Sequence, residues 1–203
     1  MSKTYVMTDI HGRLEPLKAL LAQIPDGSKL VFLGDYVDRG SESREVVALI
    51  RSLPNAVCLR GNHEDMLCAH DPRMWLANGG ASTLMSYKHP LTGDTDWEAM
   101  YGDKDWFRSL PRLHSDAHRV YVHAGVNPAY SLGEQPESMT QWYRYPEGAD
   151  VGWRGLHVVH GHTPGILTLV HRTCLDGGMN QMCCGVFDDD LPGGPVELLW
   201  SDK

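Results

Sequence analysis

The chain lacks any apolar run long enough to span a bilayer, which takes about 20 consecutive apolar residues, so no membrane partner is expected. Positive charge is also short. Lys and Arg total 18 against 26 Asp and Glu, a formal net charge of −8. A broad electrostatic grip on nucleic acid or anionic lipid is therefore not expected, although a local basic site is compatible with this balance. Cysteines are few and odd in number: Cys58, Cys68, Cys174, Cys183 and Cys184. Without framework spacing they predict reduced thiols in a cytoplasmic protein. The adjacent Cys183 and Cys184 admit two readings, a redox or metal pair and two small apolar residues at a β edge or in the core. The N-terminus has no signal-peptide layout. No repeat, low-complexity tract or linker interrupts the chain, so residues 1–203 are read as one domain, long enough for a real core. Histidine, by contrast, is plentiful at 11, which favours metal or acid–base chemistry.

The periodicity predicts alternating elements. "TYVMTDI" is strand-like, and "LEPLKALLAQI" has helical spacing with Pro16 in its first turn, where a missing N–H is tolerated. "KLVFLGD" reads as a buried strand, Ser41 precedes the helical "ESREVVALIRSL", "AVCLRGN" is a third strand and "HEDMLCAH" opens another helix. The order β-α-β-α-β-α implies an α/β domain with a mostly parallel sheet and helices on its faces. From about residue 70 to 118 the chain becomes aromatic and broken by Pro and Gly, which predicts short helices and loops forming a cap. "RVYVHAG", "LHVVHGH", "ILTLV", "RTCLDGG" and "PVELLW" are the remaining strand candidates.

Five apolar runs end in the same kind of group: Asp9 and His11; Asp35 and Asp38; Asn62 and His63; His123; His160 and His162. In a parallel α/β sheet, sites form beyond the carboxyl ends of the strands, so these side chains are expected to converge. Glycines beside them permit tight exit turns and close backbone approach. Carboxylate, imidazole and amide oxygen together suit borderline or hard divalent cations. A carboxylate such as Asp35 has two oxygens and can bridge two metals. Two such ions about 3.5–4 Å apart can clamp a phosphoryl group and activate water. His160 and His162 share a face of an extended strand, so alternation alone does not choose between them.

The strings "DIHG" (9–12), "GDYVDRG" (34–40), "RGNHE" (60–64), "HAG" (123–125) and "HGHT" (160–163) occur in this order. They resemble the signatures of the metal-dependent phosphoprotein phosphatases, in their small bacterial and bacteriophage lambda phosphatase-like branch, and "WLANGG" (75–80) is similar to a segment of that branch. The resemblance runs from about Thr4 to Gly185. It implies a calcineurin-like β-sandwich flanked by helices, in α/β/β/α layers. It also implies two divalent metal ions, manganese first, with iron or zinc as alternatives. Asp9, His11 and Asp35 would hold one; Asp35, Asn62, His123 and His162 the other. His63 would be the general acid, with Asp38 hydrogen-bonded to its other nitrogen. Arg39 and Arg60 would bind phosphate oxygens, with Arg144 of "QWYRYPE" as the third arginine and Arg154 its competitor. Read singly, these acids and amides could simply cap helices, and the arginines could form surface ion pairs. Glu64 is read as a first-turn residue favoured by the helix dipole.

The activity implied is hydrolysis of phosphoserine and phosphothreonine, and of phosphotyrosine as an extension, by direct attack of a hydroxide bridging two metals. The partner would be a phosphorylated protein or peptide. Regulatory partners known for the large members are not implied by so short a chain. Two alternatives stand beside this: symmetrical hydrolysis of dinucleoside polyphosphates such as diadenosine tetraphosphate, and a non-catalytic scaffold. The "GNHE" and W-x-R segments are read as pointing away from the first, and the full set of ligands away from the second.

Overall fold

Residues 3–33 show how alternation builds two layers at once. In the computed structural model, which describes residues 2–201, strand β1 (Lys3–Met7) turns Tyr5 and Met7 to one face and Val6 to the other. Strand β2 (Lys29–Phe32) does the same with Leu30 and Phe32 against Val31. Side chains of period two force this split. Helix α1 (Leu14–Leu21) sets Leu14, Leu17 and Leu20 against the first face, and helix α2 (Ser43–Ser52) adds Val46, Val47 and Ile50. Full burial of one such side chain contributes about 1.5–3 kcal/mol. Ser41 does not cap α2. Its first residue is Ser43, whose hydroxyl accepts from the Asp38 backbone N–H at 3.2 Å instead.

Strand β3 (Ala56–Cys58) leads into α3 (Asn62–Cys68). Next come α4 (Arg73–Trp75), a π-helical turn (Leu76–Gly80), α5 (Ala81–Ser86) and α6 (Trp97–Ser109). The second half holds β4 (Leu113–Ser115), β5 (Arg119–Val122), a 3-10 turn (Leu132–Glu134), α7 (Glu137–Trp142) and β6 (His157–His160). It ends with β7 (Leu167–Thr168), β8 (Arg172–Cys174), β9 (Cys183–Asp188) and β10 (Glu197–Trp200).

The strands form two five-stranded mixed sheets, in the orders β10-β9-β1-β2-β3 and β4-β5-β6-β8-β7. Each has a parallel centre, β1-β2-β3 in one and β5-β6-β8 in the other, flanked by antiparallel strands. This corrects the expectation of one mostly parallel sheet. Val6, Val31, Leu33 and Leu59 meet Tyr121, Val159 and Leu175 between the sheets. Helices α1, α2, α3 and α6 cover the outer face of the first sheet. The outer face of the second buries Val120, Val122 and Val158 under Leu132, Trp153 and Leu156. The result is an α/β sandwich of two mixed sheets flanked by helices.

Strands β4 and β9 were not anticipated. β9 lies between β1 and β10, so Cys183 and Cys184 are core residues and not an edge. They point to opposite faces, Cys183 between the sheets and Cys184 toward the helices. Burial pushes the Cys183 thiol up to about 12 and raises that of Cys184 further. Neither has the depressed pKa of a reactive thiol. No helix among the described residues is long and apolar enough to cross a membrane.

Candidate metal centre and active site

The parallel ladders continue past the strand ends into the loops that carry the polar groups. Leu33 N–H donates to Met7 O (2.9 Å), Asp9 N–H to Gly34 O (3.2 Å) and His11 N–H to Asp35 O (2.9 Å). In the second sheet, Gly161 N–H donates to His123 O at 2.8 Å. Two bonds tie the sheets together at this edge: His162 N–H to Asp9 Oδ2 at 3.0 Å, and His123 Nδ1–H to Leu33 O at 3.2 Å. Five loops distant in sequence therefore share one point.

The backbone there is unusual. Asp9, His11, Asp35, Asp38, Arg39 and His162 all have φ between 49° and 72°. That region is sparsely used by non-glycine residues, each instance costing about 1–3 kcal/mol. Only a surrounding ladder as dense as this one holds it. Two glycines are needed for close approach. A Cβ at Gly161 would lie 2.2 Å from Asp9 Oδ2, and one at Gly61 would lie 2.2 Å from Asp35 Oδ1.

Asp9, His11, Asp35, Asn62 and His123 are each no more than 3% exposed, and His162 is half-buried. Asp35 Oδ2 lies 3.6 Å from His11 Nε2, 3.5 Å from His123 Nε2 and 3.8 Å from His63 Nε2, while Asp9 Oδ1 lies 3.9 Å from His11 Nε2. These separations are long for hydrogen bonds. Ligand atoms of Asp9, Asp35 and His123 all lie within 4.8 Å of one another, as do those of His11, Asp35 and His63.

The tautomers fit metal ligation. His11 Nδ1 faces Val37 O at 2.8 Å and His123 Nδ1 faces Leu33 O. A carbonyl can only accept, so each Nδ1 carries the proton and each Nε2 a lone pair. His123 Nε2 then stands 2.8 Å from Asn62 Oδ1, with His162 Nδ1 3.1 Å from the same oxygen. Burial holds His11 well below the ordinary histidine range. Burial pushes His123 down to about 3, and His162 likewise to about 3, with help from His123. Lone pairs aimed at one another in a dry site are reconciled by a cation between them. The carboxylates agree: burial raises Asp35 well above its usual range and then Asp9 raises it further, while burial raises Asp9. Two buried like charges call for a positive partner.

Arg39 supplies some positive charge. Its Nη1 donates to His11 Nε2 at 2.7 Å and its Nη2 to His63 Nε2 at 3.0 Å. On its other side, His63 Nδ1–H donates to Asp38 Oδ2 at 2.7 Å. Asp38 does not cap α2. Its Oδ1 accepts from Trp75 Nε1–H (2.8 Å) and Thr83 Oγ1–H (2.7 Å), so α4 and α5 hold the carboxylate that orients His63.

The other arginines divide. Arg60 Nε sits 2.8 Å from Asp65 Oδ1, an ion pair whose N–H does not point along the contact. It is not drawn into the ligand cluster. Arg144 is exposed, and its charge helps to lower His162. Arg154 donates to Pro128 O at 3.3 Å and lies over the Trp153 ring at 5.0 Å, so the structure sets Arg144 and not Arg154 beside His162. His160 and His162 separate because β6 ends at His160 and His162 is left-handed. His160 turns away, with Nε2 accepting from Arg172 Nη1 at 3.1 Å and burial lowering it to about 4.

The family model of the calcineurin-like phosphoesterases matches residues 2–165. The chain belongs to the calcineurin-like phosphoesterase family. The family implies a dinuclear site of divalent cations, which the donor set above fits. The chain is 38% identical over 140 residues to a symmetrical bis(5′-nucleosyl)-tetraphosphatase of Marinomonas sp., a match covering 64% of this chain and 46% of that enzyme. An enzyme of the same name from Pseudomonas putida is 34% identical over 142 residues, covering 66% and 46%. The chain thus spans about half the length of the curated relatives it matches. A solved structure provisionally assigned as a diadenosine tetraphosphatase superposes with a TM-score of 0.70 at 24% identity, covering 98% of this chain and 93% of that one. A serine/threonine phosphatase from Saccharomyces cerevisiae gives 0.62 at 16%, covering 98% and 78%. At these identities the solved structures speak to the fold alone.

These relatives overturn the phosphoprotein phosphatase expectation, and with it the phosphorylated protein or peptide as partner. Curated relatives at 34–38% identity are named as symmetrical bis(5′-nucleosyl)-tetraphosphatases. The residues read as pointing away from that class, "GNHE" and W-x-R, did not discriminate.

Several supporting residues escaped the motif reading. The Glu64 carboxylate, fully buried, accepts N–H groups from Asp35 (2.8 Å), Tyr36 (2.8 Å) and Gly61 (2.9 Å), clamping the Asp35 turn to the start of α3. Its place as third residue of a helix after glycine was the available signal. Thr8 O–H donates to Asp9 Oδ2 at 2.6 Å. Asp176, after β8, is raised by burial and by Asp9 to about 7. Nothing local in "CLDGG" marks it as a neighbour of Asp9.

Proposed function

We propose that this protein hydrolyses dinucleoside tetraphosphates symmetrically, giving two nucleoside diphosphates. The similarity to bacterial enzymes of that name carries the reading, because it rests on 34–38% identity over some 140 residues. Asp9, His11 and Asp35 are assigned to one cation and Asp35, Asn62, His123 and His162 to the second, with manganese the cation to supply first. When bound, such ions neutralise phosphate oxygens and lower the pKa of water.

The chain's own residues then have these roles. The guanidinium of Arg39 binds a phosphate oxygen, a stronger acceptor than the imidazole nitrogens it now contacts. Its departure frees His63 Nε2 to carry a proton toward the leaving oxygen. Asp38 keeps the ring oriented. Arg144, at the rim beside His162, takes an oxygen of the polyphosphate chain. Arg60 reaches the site only by leaving Asp65, so it ranks behind both. Residues 70–118 act as a cap that holds Asp38 through Trp75 and Thr83. Five unpaired thiols support a reducing compartment, the cytoplasm.

The test is a parallel assay with manganese on diadenosine tetraphosphate and on a phosphoserine peptide. ADP as the sole nucleotide product, at the higher kcat/KM, is expected. Release of ATP with AMP, or preference for the peptide, would overturn the proposal.

A further inference from the structure

A cavity of about 230 Å³ opens beside the turn that carries His162, between the Tyr145–Gly148 loop and the Thr163–Leu167 loop. At its base lies Arg172, only 4% exposed. A guanidinium removed from water needs an anion or a full set of acceptors. Arg172 has no carboxylate within ion-pairing distance among the described residues. Its Nε donates to Ala149 O and its Nη1 to His160 Nε2, while Nη2 makes no hydrogen bond among them. The Tyr145 ring covers it, with Cζ 4.7 Å from the ring centroid. Nη2 is not sealed from solvent, so a ligand that enters the cavity can take this donor in place of water.

The other walls define what fits. Pro164 and Ile166 are flat or apolar. Glu147 also lines the cavity, exposed, and does not pair with Arg172. Its negative charge opposes a free phosphate there. A planar ring with acceptors on one edge and donors on another suits both charges at once. Guanine has this pattern: O6 and N7 accept, matching an arginine fork, and its N1–H and N2–H₂ donate, matching a carboxylate. Adenine presents an amino donor where O6 would be and meets the fork with one acceptor. We propose that this cavity is a nucleobase subsite selective for guanine, with Arg172 and Glu147 reading its two edges. It receives one nucleoside arm of the dinucleoside polyphosphate and so rests on the function proposed above.

Calorimetric titration of the manganese-supplied protein with GDP, ADP and UDP tests it. GDP is expected to bind about tenfold more tightly than ADP or UDP, the discrimination typical of one bidentate base contact. Glu147→Gln, a surface change, is expected to cut the GDP preference by about threefold, with Arg172 still reading O6 and N7. Arg172→Met should also cut it if its circular dichroism remains native; if it fails to fold, Glu147→Gln decides alone. Equal GDP and ADP affinities in the parent, or an unchanged ratio in Glu147→Gln, would overturn the subsite. Turnover of diguanosine and diadenosine tetraphosphates, run alongside, separates the two claims. Hydrolysis of both with no base preference in KM or binding removes the subsite and leaves the function. A GDP preference without hydrolysis of either removes the function and leaves the subsite.

Discussion

Replacing Gly161 by alanine tests the geometry of the centre at its tightest point. The added methyl would lie 2.2 Å from Asp9 Oδ2 and 2.3 Å from Thr8 Oγ1, where a carbon and an oxygen ordinarily stay at least about 3.3 Å apart. Something must move by about 1 Å, the difference between those distances. Asp9 cannot yield freely, because Oδ2 already accepts from Thr8 (2.6 Å) and from His162 N–H (3.0 Å). Overpacking of this kind costs about 1–3 kcal/mol, and each hydrogen bond lost to a charged group about 1.5–3 kcal/mol, so a loss of about 4 kcal/mol is expected. Turnover should fall more than stability suggests, since a 1 Å displacement of a reacting group can cost about 100-fold. The assays are urea unfolding, metal content by elemental analysis and kcat/KM. Gly102→Ala is the control. Gly102 lies within α6, exposed, with nothing within 4 Å of the position an added methyl would take, so alanine should stabilise by about 0.5–1 kcal/mol. Full metal content and parental turnover in Gly161→Ala would refute the placement of Asp9 against the β6 turn.

Trp75→Phe removes the N–H that Asp38 Oδ1 accepts; it should cost about 1.5–3 kcal/mol and lower kcat at unchanged metal content, measured by unfolding and by kinetics. His63→Asn should slow hydrolysis of a phosphomonoester, whose alkoxide needs a proton, far more than that of diadenosine tetraphosphate, whose leaving group is a phosphate; equal losses on both substrates would count against His63 as the acid. Asp176 has a folded pKa raised to about 7 by burial and by Asp9. Its raised value means that stability is full below the unfolded pKa and is lost as pH rises through the folded one. In metal-free protein, Asp176→Asn should therefore exceed the parent in stability at pH 8, with the margin vanishing near pH 4; thermal melts across that range check it.

Much of the centre was legible before any coordinates. Polar groups flanked by glycine after apolar runs are local patterns, and a parallel arrangement sends every strand's carboxyl end to one edge. That rule offers Asp9, His11, Asp35, Asp38, Asn62, His63, His123, His160 and His162, and all but His160 meet at one point; the choice of His162 came from the family resemblance. Other features depend on partners far away in the chain. Glu64 looked like a helix-dipole residue because two of its donors, Asp35 and Tyr36, lie 29 and 28 residues back. Trp75 and Thr83 reach Asp38 across 37 and 45 residues. β9 was hidden because Gly185 and Asp188 interrupt its alternation.

Composition and periodicity alone determined that this is an α/β chain with oxygen and nitrogen donors at successive strand ends, because those signals act over a few residues. Tertiary structure decided that the strands split into two mixed sheets, that His162 and not His160 faces Asn62, and that Arg60 is paired with Asp65. The reason is that register between sheets, a left-handed turn after β6 and competition between carboxylates for one guanidinium are settled by packing at long range. The proposed base preference belongs to the same class, since Glu147 and Arg172 lie outside the five motif strings.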